Sequence, residues 1–261
     1  MAVEFVAYAL MLSFGLFAGM VGCVLLGRAL GLRRMAADPD GAFAGLGAID
    51  AAIYALLGLL IAFTFSGAAS RFDHRRALIV EEANIIGTAY LRLDLLPQAE
   101  QGPMRALMRD YAQSRLETYR LLPDLAASDA AAERALALQR QLWDGAVAGV
   151  QAPGQSTVPG MLILPALNDL IDIVTTRDMA TQFHPPKAVW GMLFGMCLAA
   201  ALVAGYGMAQ ARKPSLVHVV GFPLVMAFVV NLVLHMEHPR LGLIRVDTFD
   251  RAIADTIAGM D

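Results

Sequence analysis

Long apolar runs alternate with polar stretches along the chain, and four of the runs are long enough to cross a membrane. They cover residues 5–27, 43–67, 187–209 and 216–235. The first run contains no charged residue, and about twenty apolar residues in a helix span a hydrocarbon core of roughly 30 Å. The pattern therefore predicts four transmembrane helices in two hairpins.

A more polar segment, residues 71–186, lies between the two hairpins. It has apolar residues at helical spacing and no strand signal, which predicts helices only. Residues 156–178 are nearly apolar enough to be a fifth span. Asn168, Asp169 and Asp172 would be costly in a bilayer, so we assign this helix to a soluble bundle. The predicted fold is all-α.

Three parts follow from this pattern. Residues 1–70 form the first transmembrane hairpin, and residues 71–186 form a soluble helical bundle that continues the second transmembrane helix. Residues 187–261 form the second transmembrane hairpin and a C-terminal amphipathic helix. Ser128 and Asp129 resemble a helix cap before the segment 128–150, and Pro223 is expected to kink the fourth span.

Basic residues near the membrane ends favour one orientation. The side with the bundle has eight of them and the side with the two short turns has five. Because Lys and Arg concentrate on the cytoplasmic side, we expect the bundle and both termini in the cytoplasm of a bacterial plasma membrane. The turns are formed by Arg28, Arg33, Arg34, Asp38, Pro39, Asp40 and Gly41, and by Arg212, Lys213 and Pro214.

Composition agrees with a multi-pass protein in a lipid bilayer. Of 261 residues, 57% are hydrophobic and 16% are charged, and the mean hydropathy is +0.56. A net charge of −3 gives no basic surface for nucleic acid. Cys23 and Cys197 lie in separate apolar runs, which suggests neither a disulfide nor a zinc site. No nucleotide-binding loop, nucleophile elbow or metalloprotease motif is present, so we expect neither an enzyme nor a cofactor.

One carboxylate, Asp50, lies within the second apolar run. An ionisable residue in a span is by default a functional candidate, and helical spacing places it at the head of one face. The alternative is that Asp50 lies near enough to the end of the span to reach lipid head groups or an Arg of the preceding turn. The candidate pore-lining residues are Asp50, Tyr54, Leu57, Ile61 and Thr64, with Phe65 and Phe72 in an apolar constriction that also includes Phe63.

The stretch 63–97 is expected to be one helix that leaves the membrane. It contains Glu81 and Glu82, and neither has a basic residue three or four positions away. Their partners must therefore be water or another segment. Arg240 and Arg245 follow the fourth span, so we predict that one of the two acids pairs with one of these arginines. The predicted charge network is Arg71, Arg75, Glu81, Glu82, Arg240 and Arg245.

Two polar clusters have residue types that can bind metals, but each has a simpler interpretation. His235, Glu237 and His238 are spaced closely enough to hold a divalent ion, although histidines at a membrane end usually act as interfacial anchors. Asp169 and Asp172 could bind a hard cation, although capping and pairing within the bundle are the expected roles. We therefore predict no metal site.

Three separated blocks carry a family resemblance. They are FSGAASRFDHRRALIVEEANIIGTAYLRLDLLP (65–97), LNDLIDIVTTRDMATQFHPP (167–186) and HPRLGLIRVDTFD (238–250). In this order they resemble the bestrophin-like family of prokaryotic membrane proteins. The resemblance implies likeness to bestrophin chloride channels, which are pentameric pores with four membrane helices per subunit. No residue-by-residue match to the bestrophin pore neck is found, so channel activity is an analogy.

Two functions of different classes remain. In the first, subunits form a homo-oligomer around an axis and the second spans line a path for inorganic ions. In the second, the protein conducts nothing and is a membrane-anchored scaffold or sensor whose bundle binds a partner. GxxxG motifs at Gly15 and Gly19 and at Gly191 and Gly195 predict close helix approach, either between subunits or within one.

Overall fold

A computed structural model describes residues 2–39, 42–43, 46–153, 156–213 and 215–260. Over these residues the chain forms eight α-helices and no strand, so the all-α prediction is confirmed. Asp40, Gly41 and Pro214, which the sequence assigned to turns, lie outside the described residues. The helices are α1 (Ala2–Ala37), α2 (Leu46–Arg92), α3 (Gln98–Arg120), α4 (Leu125–Val150), α5 (Val158–Gln182), α6 (Lys187–Gly207), α7 (Phe222–Glu237) and α8 (Arg251–Ala258).

The second span and the charged stretch after it form one uninterrupted helix, as predicted. α2 contains 47 residues and ends in a single 3₁₀ turn, Leu93–Leu95. Leu96 is extended, with φ −72° and ψ 160°, because the ring of Pro97 disfavours the helical conformation in the residue before it.

One local prediction needs correction. α4 begins at Leu125, where the side chain of Asp124 accepts a hydrogen bond from the backbone N–H of Ala127 at 3.2 Å. Ser128 is therefore inside the helix, and its hydroxyl donates to the carbonyl of Thr118 at 2.7 Å. Pro223 lies in the first turn of α7 and follows a π-helical stretch, Val217–Gly221. Proline has no backbone N–H, so Pro223 cannot donate a hydrogen bond to the preceding turn, and the π-helical stretch lies at that turn.

The chain divides into two compact units, and α2 contributes to both. The membrane unit contains residues 3–70 and 184–238. Its helices α1, α6 and α7 and the first half of α2 provide four apolar segments long enough to cross a membrane. They form the two predicted hairpins. Its core includes Met20, Leu57, Leu193, Cys197 and Val230.

The bundle unit contains residues 71–183 and 239–260. α5 belongs to it, because Ile163, Leu167 and Leu170 are buried in the same core as residues of α2, α3 and α4. α8 is amphipathic, and Ile253 is fully buried in that core. The carboxylates of α5 that excluded it from the bilayer, Asp169 and Asp172, are on exposed positions.

Candidate functional site

The membrane half of α2 is the least covered of the apolar segments. Only 6% of its most apolar stretch is buried, against 28–33% in the other three segments. A helix that its own chain leaves uncovered must contact lipid or other subunits. This makes α2 the first candidate for an element shared between subunits.

The predicted pore-lining residues do not all lie on the uncovered face. Leu57 and Thr64 are 3% and 6% exposed, because this face of α2 packs into the core of the membrane unit. The hydroxyl of Tyr54 donates to the carbonyl of Ala200 on α6 at 3.3 Å, and Ile61 is partly buried against the same core. Leu57 and Thr64 therefore cannot line a path between subunits, which corrects the predicted face.

Asp50 is half-buried in the second turn of α2. It lies beside the end of α6, since a Cβ on Gly207 would be 4.0 Å from its Oδ2. It forms no ion pair with any described residue. Phe65 is 38% exposed. Phe72 belongs to the bundle unit, where it is partly buried against the core.

Exposed positions recur along the membrane half of α2 at spacings of three and four. These positions form an uncovered stripe. It has large apolar side chains at Leu59 and Phe63, which are 52% and 69% exposed. It ends in two hydroxyl side chains, Ser66 and Ser70. In the bundle unit, α2 has a further exposed stripe at Asp73, Ala77, Glu81, Asn84 and Thr88. The membrane stripe, unlike most of the predicted face, is left open by its own subunit.

The bundle unit contains a buried charge cluster around Glu82. This carboxylate is 0% exposed and lies on the face of α2 that packs against the bundle. Nε of Arg115, on α3, donates to Oε1 at 2.6 Å, and Arg177, on α5, donates to Oε2. The two guanidiniums are themselves 4% and 6% exposed. Glu82 thus ties three helices together through hydrogen-bonded ion pairs.

The ring of Tyr119 is the second centre of this cluster. Three guanidinium carbons lie near its centroid, Arg177 at 3.9 Å, Arg240 at 5.0 Å and Arg115 at 5.2 Å. Nη2 of Arg115 also donates to the Tyr119 hydroxyl at 2.6 Å. A ring face attracts cations, and the attraction is stronger away from water. Tyr119 therefore brings the C-terminal segment, through Arg240, to the same point as α3 and α5.

Burial and charge oppose each other in the pKa values of the cluster. Burial raises the pKa of Glu82, but the attraction of Arg177 and Arg115 outweighs burial, so the pKa of Glu82 is lowered. The pKa of Asp178 is raised, because burial outweighs the effect of the same two arginines. Burial likewise raises the pKa of Tyr119 and of Tyr111. Glu82 is consequently ionised at neutral pH and both tyrosines remain neutral.

The predicted pairing of the helix acids with the C-terminal arginines is wrong. Glu82 pairs with Arg115 and Arg177, while Arg240 donates to both oxygens of Asp250, at 2.5 and 2.8 Å. Arg245 pairs with Asp247. Glu81 is exposed, and it forms no ion pair within the described part of the chain. The C-terminal arginines have acidic neighbours a few residues along the same segment, which makes local pairing cheaper in chain entropy.

The remaining arginines of the predicted network have other roles. Arg75 is buried, and it donates through Nε to the carbonyl of Ala180 and through Nη2 to that of Phe183, each at 2.9 Å. These are carbonyls at the end of α5, which have no partners within the helix. Arg71 is half-buried at the start of the bundle unit.

A stacked pair of histidines lies at one end of the membrane unit. His184 and His238 stack with centroids 4.8 Å apart, and Phe5 packs on His238 at 4.6 Å. Nδ1 of His184 lies 3.3 Å from Oε2 of Glu237, which is 1% exposed. His184 is the partner that the sequence did not suggest, because it is more than fifty residues from the other members.

The fold and these sites define a membrane protein with four transmembrane helices and a helical bundle. The chain belongs to the bestrophin-like family, since the Bestrophin-like domain matches residues 18–248. The structure is similar to that of a mutant of a bacterial bestrophin homologue from Klebsiella pneumoniae, with 15% identity and a TM-score of 0.59. It is also similar to a variant of a membrane protein, with 14% identity and a TM-score of 0.54. Each alignment covers 92% of this chain and 98% of the other. At these identities the likeness concerns the fold. No curated protein matches the chain.

Proposed function

We propose that the chain assembles as a homo-oligomer in the bilayer and conducts inorganic ions, with α2 of each subunit lining the path. The observation that carries the proposal is the uncovered membrane half of α2, since only 6% of its most apolar stretch is buried. An axis surrounded by copies of this face would cover it with other subunits. Gly15, Gly191 and Gly195, whose faces have no neighbour within 4 Å in the subunit, are available for the contacts between subunits.

In this arrangement Phe63 forms the constriction. It is the most exposed large side chain on the membrane half of α2, at 69%, and copies of it around an axis would form an apolar ring that ions pass only when it is wetted or widened. Ser66 and Ser70 follow one and two turns later and can hydrate an ion. Asp50 lies near the opposite end of the span but on the packed face of α2, beside the end of α6, so the proposed path does not use its charge.

Ion flux from liposomes that contain the purified protein tests the proposal. We expect Phe63→Ala to raise the flux several-fold, because removal of the aromatic ring widens the constriction. Phe14→Ala is the matched control, since Phe14 is 70% exposed on α1 and lies on no proposed path. Equal flux from both variants and from the unaltered protein would contradict the role of Phe63.

A second function, a membrane-anchored scaffold or sensor, is favoured by one observation. The uncovered stripe of α2 is apolar from Ala55 to Phe63, with no polar side chain at Leu59 or Ala62, whereas many ion paths have polar linings. Mass determination in mild detergent separates the two functions. A monomer that gives no flux in liposomes would exclude the channel and leave the scaffold.

A further inference from the structure

The bundle unit has an open groove between α4 and α5 that is separate from the Glu82 cluster. Its volume is about 330 Å³, which is at the small end of the range of ligand pockets. Two helices of one unit form its walls, so it is present in a single subunit. The lining residues are Gln139, Arg140, Trp143, Asp144, Asn168 and Ile171.

Two opposite charges line the groove one helical turn apart. Arg140 and Asp144 are at positions i and i+4 of α4, a spacing at which opposite charges commonly pair. Neither forms an ion pair with any residue in the part of the chain that the structure describes. Both charges are therefore available to a bound molecule, and a molecule with charges of both signs satisfies them together.

The rest of the lining adds two side-chain amides, those of Gln139 and Asn168, and an apolar wall. Oε1 of Gln139 is buried and has no hydrogen-bond partner among the described residues. Since a side-chain amide can flip, this group can either accept from or donate to a ligand. Trp143 and Ile171 provide the apolar wall, and Trp143 is held in place because it is partly buried against the core.

We propose that this groove binds a zwitterionic small molecule with an apolar body, for which an apolar α-amino acid is the simplest example. Its carboxylate pairs with Arg140, its ammonium group pairs with Asp144, and its side chain packs against Trp143. A simple anion would bring its charge near the carboxylate of Asp144, and a simple cation would lie near Arg140. The arrangement therefore discriminates against ligands with a single charge.

Tryptophan fluorescence gives a direct measurement, because the chain has only Trp143 and Trp190. The experiment uses the full-length Trp190→Phe protein in detergent and titrates L-leucine. We expect a saturable change in the emission of Trp143. Leucinamide, which lacks the carboxylate, and 4-methylpentanoate, which lacks the ammonium group, should each bind roughly tenfold more weakly, as expected when one charge-assisted interaction is lost.

Variants of the two charges complete the test. Arg140→Gln and Asp144→Asn should each weaken leucine binding by roughly tenfold. Arg134→Gln, on the same helix but outside the groove, should leave binding unchanged. If Trp190→Phe fails to fold, equilibrium binding of radiolabelled leucine to the unaltered protein replaces the fluorescence measurement.

Three results would overturn the proposal. They are a folded protein that shows no saturable signal up to ~10 mM leucine, equal binding of either singly charged analogue, and unchanged affinity in both groove variants. Ion flux is not measured in this experiment, so its outcome is independent of whether the protein is a channel.

Discussion

Glu82 shows how the bundle tolerates a fully buried carboxylate. An ion removed from water is stable in a protein only when close countercharges and hydrogen bonds replace its hydration. Arg115 and Arg177 each bind a different oxygen of the carboxylate, and both guanidiniums also lie against the ring of Tyr119. The cluster therefore depends on all of its members, and removal of one leaves a charge without compensation.

We expect Arg177→Met to destabilise the bundle by about 3–5 kcal/mol, because Glu82 would keep only one of its two ion pairs. Arg134→Met is the control. Its ion pair with Glu117 spans 4.0 Å and its side chain is 56% exposed, so the loss should be at most ~1 kcal/mol. Thermal unfolding in detergent measures both. Adding Glu82→Gln to Arg177→Met should recover part of the loss, and a double variant no more stable than Arg177→Met alone would refute the coupling.

Stability at low pH should depend on Glu82. The folded pKa of Glu82 is lowered from its ordinary value of 4.5, so the ionised carboxylate stabilises the folded state above pH 4.5. This stabilisation is lost as the pH falls through the folded pKa. Unfolding midpoints measured below pH 4.5 should decrease in the unaltered protein and decrease less in Glu82→Gln. Asp178, whose pKa is raised, has the opposite sign, so Asp178→Asn should not flatten the profile.

At the residue scale the sequence predicted that Glu82 needs a partner from another segment, but it did not predict which one. The two candidates chosen, Arg240 and Arg245, have acidic neighbours nearby along the chain. Arg115 could have been noticed, because it follows Met108 and Tyr111 at helical spacing on the buried face of α3. An arginine on an apolar helix face indicates a buried acid that faces it.

At the scale of helices, the sequence predicted the type and extent of each element better than the contacts between elements. Periodicity and length identified the four spans and the continuous α2, because apolar runs and missing breakers are local properties. The packed face of α2 was not predictable in the same way. Leu57 is buried in the core and Leu59 is 52% exposed, yet both are leucine. Lipid, the core and a neighbouring subunit all select apolar residues, so the sequence does not distinguish the two faces.

The glycine contacts differ from the predicted motifs for the same reason. Gly15, Gly191 and Gly195 face no neighbour within 4 Å, and Gly19 approaches Leu198. The closest approach of α1 and α6 occurs at Gly27 and Gly205. A Cβ on either would lie 1.9 Å from a backbone oxygen of the other helix, so only glycine fits there.

Gly205→Ala should therefore destabilise the membrane unit. The added methyl group would collide with the carbonyl oxygen of Val24 at 1.9 Å, and because this is backbone, the two helices must separate. A cost of about 1–3 kcal/mol is expected, as for other overpacked positions. Gly22→Ala, on the facing helix α1, has no neighbour within 4 Å and should melt like the unaltered protein. Melting temperatures in detergent compare the two, and equal values would contradict the packing argument.

At the scale of the whole molecule, the two units differ in what holds them together and in the function proposed for each. The membrane unit provides apolar helices with one uncovered face on α2. The bundle unit is held by the charge cluster and contains the groove. Ion conduction and ligand binding are thus proposed for different units, and each can be removed by variants that leave the other unit unchanged.

The orientation of the chain in the membrane is the last prediction. A single membrane crossing, the first half of α2, separates the end of α1 from the bundle, and the excess of Lys and Arg on the bundle side favours its cytoplasmic location. We place single cysteines at Ala37 and Asp129, both exposed, in a chain whose Cys23 and Cys197 are replaced by alanine. An impermeant maleimide added to intact spheroplasts should label Ala37→Cys, and Asp129→Cys only after permeabilisation. The reverse labelling pattern would mean that the orientation is inverted and that the hairpins are kept. Labelling of both cysteines from one side would contradict an odd number of crossings between them, and therefore the predicted topology itself.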